Sequence, residues 1–307
     1  MSGEAAGRYA RPPLARFAWL SIGAAAATIL LKLLAWWLTG SVGLLSDALE
    51  SFVNLAAALV TLGMLIVAAR PPTEEHAYGY SKAEYLASAF EGLLILAAAA
   101  AIAYAAVRRF IDPQPIERAN LGVAVSMTAS LINFAVARIL LRQARAHRSI
   151  ALEADAHHLM TDVWTSVGVV LAVAAVAFTG WWRLDPVIAL VVAANIVWTG
   201  STLFYRSVRG LMDEAIPVSQ REAIVALLDS YYDAGVRYHA LRTRQAAGRS
   251  FVTVHILVPG EWTVSRAHDL AEEIEGRIRA LVPGCYVETH LEPVGDPSSY
   301  ADIHLDR

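Results

Sequence analysis

The sequence predicts an α-helical membrane protein, with six transmembrane helices followed by a small cytoplasmic α+β domain of order α-β-β-α-β. Three observations predict it. The 307-residue chain is 56% hydrophobic and only 17% charged, too apolar for an ordinary soluble domain. Six apolar stretches, at residues 17–38, 43–69, 83–107, 121–141, 158–178 and 187–204, come close to the roughly 20 residues that cross a hydrocarbon core as a helix. After Tyr205 the pattern changes, and from Ile216 onward charged and apolar residues alternate as they do in water-soluble domains.

Basic residues set the expected orientation. Arg8, Arg11 and Arg16 precede the first span, Arg70 and Lys82 flank the loop after the second, and Arg142, Arg145 and Arg148 fill the loop after the fourth. These places share one side, which the positive-inside rule makes the cytoplasm. Arg108, Arg109 and Arg118 in the third loop run against the rule and are offset in part by Asp112 and Glu117. An even span count then returns the carboxy terminus to the cytoplasm. The expected divisions are a tail over 1–16, a membrane domain over 17–210, a soluble domain over 211–296 and a tail over 297–307. No apolar stretch with a small-residue cleavage site precedes the first span, so no removable leader is expected, which suits a bacterial inner membrane. A net charge of −3 argues against a nucleic-acid partner, which needs a basic face. The single cysteine, Cys285, excludes an internal disulfide framework.

In the soluble part, Ser219 followed by Glu222 predicts a capping box opening a helix over "REAIVALLDSYY". "YHALRTRQ" and "SFVTVHILV", separated by "AAGR", predict a hairpin. A second helix over 264–281 ends before Pro283 and Gly284, and "CYVETHLEP" supplies a third strand, giving helices layered on a sheet.

The membrane stretches carry polar residues at positions that lipid penalises by about 2.5–3.5 kcal/mol per charge. In the fifth span Asp155, His158 and Asp162 are spaced by three and four, so they share a helix face while His157 points elsewhere. In the second span Asp47, Glu50 and Asn54 repeat the spacing. A lone polar residue in a membrane helix is commonly a helix–helix hydrogen bond, but two matched stripes that include a histidine are not so readily explained. Glu50, Asn54, His158 and Asp162 can close a four-coordinate shell around a divalent transition metal. Asp47 and Asp155, one turn nearer the membrane surface, are read as supporting groups on the ion's path. Lys32 and Glu91, inside the first and third spans, are expected to pair with each other or with polar groups of the bundle.

Together these residues resemble the cation diffusion facilitators. The local marks are "GSVGLLSDALESFVN", "HAYGYSKAE", "ADAHHLMTD", "RLDP" and "LMDEAIP", and the resemblance runs from about residue 17 to residue 296. It implies a homodimeric exporter of metal ions working in exchange for protons, similar to the bacterial zinc and ferrous-iron efflux members. Glu50 and Asn54 fall where the family commonly has two aspartates, while His158 and Asp162 match without change. The neutral amide of Asn54 lowers the charge of the site by one, which is expected to weaken binding of hard divalent ions and to alter metal preference or proton stoichiometry. The histidine favours zinc, iron, cobalt, nickel or cadmium over manganese, magnesium or calcium.

The resemblance implies three further features. A loop site normally built from one acidic residue and two histidines here reads Thr73, His76 and Tyr80, so only His76 remains; the site is expected to be absent or weak, with Glu74 and Glu75 able to lend one carboxylate. His239, His255, His268, His290 and Glu292 stand where relatives bind a cytoplasmic metal pair at the dimer interface, in a regulatory or dimer-stabilising role. Lys82 and Asp213 match positions that form a salt bridge between the membrane and soluble parts. His147 and His304 are expected to be solvated. Two other classes would also place metal ligands in a bundle: an intramembrane metalloenzyme, for which no His-Glu-x-x-His occurs, and a metal sensor that binds without transport, which a flux measurement distinguishes. Expected partners are membrane lipid, a second copy of the chain, metal ions and protons.

Overall fold

The structure is a computed structural model that describes residues 14–39, 42–112, 120–181 and 183–301. Residues 14–208 and 209–301 fall into two compact units.

The first unit consists of six long helices: α1 (Ala15–Thr39), α2 (Val42–Ala68), α3 (Ala83–Ile111), α4 (Asn120–His147), α5 (Ile150–Thr179) and α6 (Leu184–Leu211). Among the described residues, three segments, Ala15–Trp37, Ala83–Ile111 and Pro186–Leu211, are long and apolar enough to cross a membrane. The outward faces of the bundle are apolar: Leu30, Trp37, Leu131 and Trp198 are each about 70% exposed or more. Large apolar side chains exposed on several helices at once fit a lipid surround. Inside, alanine-rich faces allow close approach. One cluster unites Ala18, Leu62, Ala87, Ala137, Leu140, Leu152 and Leu159 from α1 to α5, and a second unites Ile95, Ala99, Ala154, Ile196 and Leu203 from α3, α5 and α6. Helices α3 and α6 meet at Gly92 and Gly200, where an added Cβ would lie 3.1 Å from the Phe204 nitrogen and 2.9 Å from an Ile95 methyl respectively.

The second unit contains α7 (Val218–Asp229), the hairpin β1 (Arg237–Ala246) and β2 (Arg249–Val258), α8 (Val264–Leu281) and β3 (Cys285–Pro293). The sheet order is β1-β2-β3, with β2 antiparallel to β1 and parallel to β3. The parallel pair requires a crossover, which α8 supplies. One face of the sheet buries Val252, Val254, Ile256 and Val287 against Ile224 of α7 and Ile274 and Ile278 of α8. Thr263 caps α8 by accepting from the Arg266 amide at 3.3 Å. The expected capping box at Ser219 does not form. Pro217, at φ −51, takes the N-cap position and the helix starts at Val218, which leaves Ser219 inside the first turn.

Candidate metal centres

In the helical unit, α2 and α5 bring Asn54, His158 and Asp162 together. The Asn54 amide nitrogen donates to Asp162 Oδ2 at 2.6 Å, and Asn54 Oδ1 lies 2.8 Å from His158 Nε2. Because the amide nitrogen is committed to a carboxylate, the oxygen must face the imidazole. Asn133 of α4 adds a second donor to Asp162 Oδ2 at 3.1 Å. The two amide bonds to the Asp162 carboxylate are charge-assisted and contribute about 1.5–3 kcal/mol each, so Asn54 and Asn133 hold Asp162 in place. Asp47 and Glu50 lie on α2, but their side chains fall outside the described residues.

More polar groups surround this set. His158 is 6% exposed, and its Nδ1 stands 3.3 Å from Oε2 of the fully buried Glu91 on α3. Glu91 Oε1 accepts from Thr61 of α2 at 3.1 Å. Asp155, one turn before His158, accepts from Ser21 of α1 at 2.9 Å, and its other oxygen is buried without a hydrogen-bond partner. Lys32 donates to Ser51 at 2.8 Å, so Lys32 and Glu91 both engage polar groups of the bundle. His157 turns aside, 4.0 Å from Glu153, which also pairs with Arg206 at 2.7 Å. In the loop after α2, the Thr73 and Tyr80 hydroxyls are 3.1 Å apart and the rings of His76 and Tyr80 lie 4.5 Å apart. The three positions do converge, yet they offer a single imidazole among hydroxyls, a poor donor set for a transition metal.

The second unit carries the other cluster, and the sheet register explains it. His239 pairs across strands with His255, and His255 with His290, which sets three imidazoles in a row on neighbouring strands. Glu292, two residues beyond His290, returns to the same face. A bulge after His239 is essential to the row. Ala240 and Leu241 together oppose one residue of β2, and Ala240 adopts φ +48. In an unbroken ladder Ala240 would stand opposite His255, and His239 would point to the other face.

His239 Nε2 lies 2.8 Å from Glu292 Oε2 and 3.1 Å from His255 Nδ1, which is 3.2 Å from Glu292 Oε1. Donor atoms around a tetrahedral ion with bonds of about 2.0–2.1 Å stand about 3.3 Å apart, so closing on a metal needs a shift of only a few tenths of an ångström. Glu292 Oε2 is buried and forms no aligned hydrogen bond despite its short approach to His239. Ligand atoms converging this way without a satisfied network fit a cation between them. Among the described residues, His239, His255 and Glu292 form the one group of three or more His, Cys, Asp or Glu side chains with metal-holding spacing. His290 is more distant, 3.7 Å from Glu292 Oε1 and 65% exposed. His268 lies exposed on α8 outside the group. Burial pushes the Cys285 thiol up to about 11, which removes it from thiolate ligation near neutral pH.

Lys82 sits at the N-cap of α3, and Asp213 is 3.3 Å from Arg244 within its own unit. Sequence reasoning missed Asn133, Thr61 and Ser21. Each is a neutral polar residue, and such residues occur throughout these helices, as Thr28, Ser126 and Ser130 do, so spacing alone does not single them out.

The profile of the cation efflux transmembrane domain matches residues 18–212, and that of the cation efflux protein cytoplasmic domain matches residues 216–294. The chain belongs to the cation efflux family. It is a cation diffusion facilitator, as its motifs implied. The uncharacterized transporter sll1263 of Synechocystis sp. is 53% identical over 293 residues, covering 95% of this chain and 93% of that one. The cation-efflux pump FieF of Klebsiella pneumoniae is 31% identical over 270 residues, covering 88% and 89%. A solved structure of CzrB in its Zn form is 35% identical over 27% of this chain and 96% of its own, at a TM-score of 0.26. Membership makes this chain a membrane protein of metal transport, rather than an enzyme, with a family dimerisation domain at its carboxy-terminal end.

Proposed function

We propose that this cation efflux protein exports divalent transition-metal ions from the cytoplasm in exchange for protons, with zinc or ferrous iron as the leading substrates and cobalt, nickel and cadmium as others that fit. The observation that carries the reading is the meeting of Asn54, His158 and Asp162 between α2 and α5, at 2.8 and 2.6 Å. An imidazole nitrogen, an amide oxygen and a carboxylate, with Glu50 one turn before Asn54 on α2, make a mixed N/O set suited to these metals. Metal binds only neutral imidazole and ionised carboxylate, so loading the site expels protons and protonation expels the ion. Asp155 with Ser21 marks the path on the cytoplasmic side, and Asp47, one turn nearer the start of α2, the path on the opposite side. Switching access requires α2 and α5 to move against the other helices, as in alternating access.

In the same reading all six long helices span the membrane, both termini face the cytoplasm, and the membrane is a bacterial inner membrane. The membrane domain covers 17–210 and the soluble domain 211–296. Two chains form a homodimer whose soluble domains hold metal through His239, His255 and Glu292, joined by His290 and by His268. The test is metal-driven proton movement in reconstituted vesicles, screened over zinc, ferrous iron, cobalt, nickel, cadmium and manganese. Transport of the softer ions and not of manganese is expected. Binding without flux for every ion would make the chain a sensor and overturn the proposal.

A further inference from the structure

We infer that Glu91 is a positioning residue for the transport site: its carboxylate accepts a hydrogen bond from Nδ1–H of His158, which keeps that proton on Nδ1 and leaves Nε2 to face the ion. The inference rests on the transport site proposed above and concerns a residue that site does not include.

Glu91 is fully buried on α3 and is held from one side only, by Thr61 Oγ1 at Oε1. Its other oxygen, Oε2, has no aligned hydrogen-bond partner, and neither does His158 Nδ1; the two atoms are 3.3 Å apart. A buried acceptor and a buried ring nitrogen, each without another partner, are each other's natural complement. The remaining ring nitrogen, Nε2, lies 2.8 Å from Asn54 Oδ1 and donates to it; an ion at Nε2 takes the place of that proton, so the ring is strung between the site and Glu91.

A neutral imidazole carries one proton on one of two nitrogens. Nε2 can give its lone pair to a metal only when that proton sits on Nδ1, and an acceptor beside Nδ1 selects that arrangement while preventing the ring from turning over. Glu91 is the carboxylate in that position. Thr61 fixes the carboxylate in turn, so α2, α3 and α5 all contribute to the aim of one nitrogen. A carboxylate needed only for packing would have no reason to present an unpartnered oxygen to a metal-facing histidine in a dry interior.

The test compares the full-length parent with Glu91→Gln and Glu91→Leu in vesicles, using whichever of zinc or ferrous iron the parent moves faster. Half-saturating metal concentration should rise by about 10- to 100-fold, more for Leu than for Gln, because Gln keeps an acceptor oxygen. The maximal rate should change far less, and the melting temperature of the detergent-solubilised protein should not fall, since exchanging a buried carboxylate for Leu removes a desolvated charge. Unchanged half-saturation in both variants overturns the inference, as does a loss of rate that tracks a loss of melting temperature. Failure of the parent itself to move either ion more than Asp162→Ala overturns the proposed function instead, which separates the two outcomes.

Discussion

Asn54 is the residue whose chemistry most shapes the site. Its amide ties Asp162 and His158 together at 2.6 and 2.8 Å, so an entering ion must compete with bonds the protein makes to itself. Asn54→Asp replaces that bond with like charges at contact distance. The variant is expected to bind divalent ions more tightly, to change the ranking of metals, and to be less stable without metal, because two adjacent carboxylates resist ionising together. Competition flux between zinc and manganese checks the ranking. Cys285 gives a prediction at the same scale. Its thiol ionises near 9.0 in a free chain and near 11 in the fold, so between those values the folded state binds more protons and stability falls as pH rises. The urea midpoint of the soluble domain should decline across that window, and Cys285→Ala should flatten the decline. The polar stripes of α2 and α5 were legible from spacing by three and four, and the structure brings Asn54, His158 and Asp162 of those stripes together. Asn133 was not legible, since a single asparagine gains meaning only when α4 lies against α5.

At the scale of elements, hydropathy marks the part of a helix that meets lipid and not the helix itself. α4 continues through Arg142, Arg145 and His147, and α5 begins at Ile150, eight residues before the apolar stretch at 158–178. The backbone ladder continues wherever nothing breaks it. The soluble elements were read more closely, because alternation and the breakers Pro283 and Gly284 punctuate them, whereas the bulge at Ala240 left no mark, as alanine is not a turn residue. The α3–α6 seam yields its own prediction. Gly200→Val drives a branched side chain into Ile95 and toward the Gly92 carbonyl, 3.3 Å from the first added carbon, so a cost of about 1–3 kcal/mol is expected. It should appear as a lower melting temperature in detergent, with the soluble domain unaffected.

For the whole molecule, the two units set their polar clusters in different surroundings. The helical unit surrounds its polar groups with apolar, outward-facing helices, and the soluble unit sets its imidazoles on an open sheet face. The soluble cluster predicts that zinc protects the amides of β1, β2 and β3 from hydrogen exchange in the intact protein, by about 2.7 kcal/mol at a hundredfold excess over Kd. His239→Ala or Glu292→Ala should abolish that protection and leave flux measurable. The central claim, that α2 and α5 share one ion that competes with protons, is tested most directly by metal-driven proton flux through the His158→Ala, Asp162→Ala double variant in vesicles. The account predicts flux at the level of empty vesicles for every metal; flux equal to the parent would contradict it.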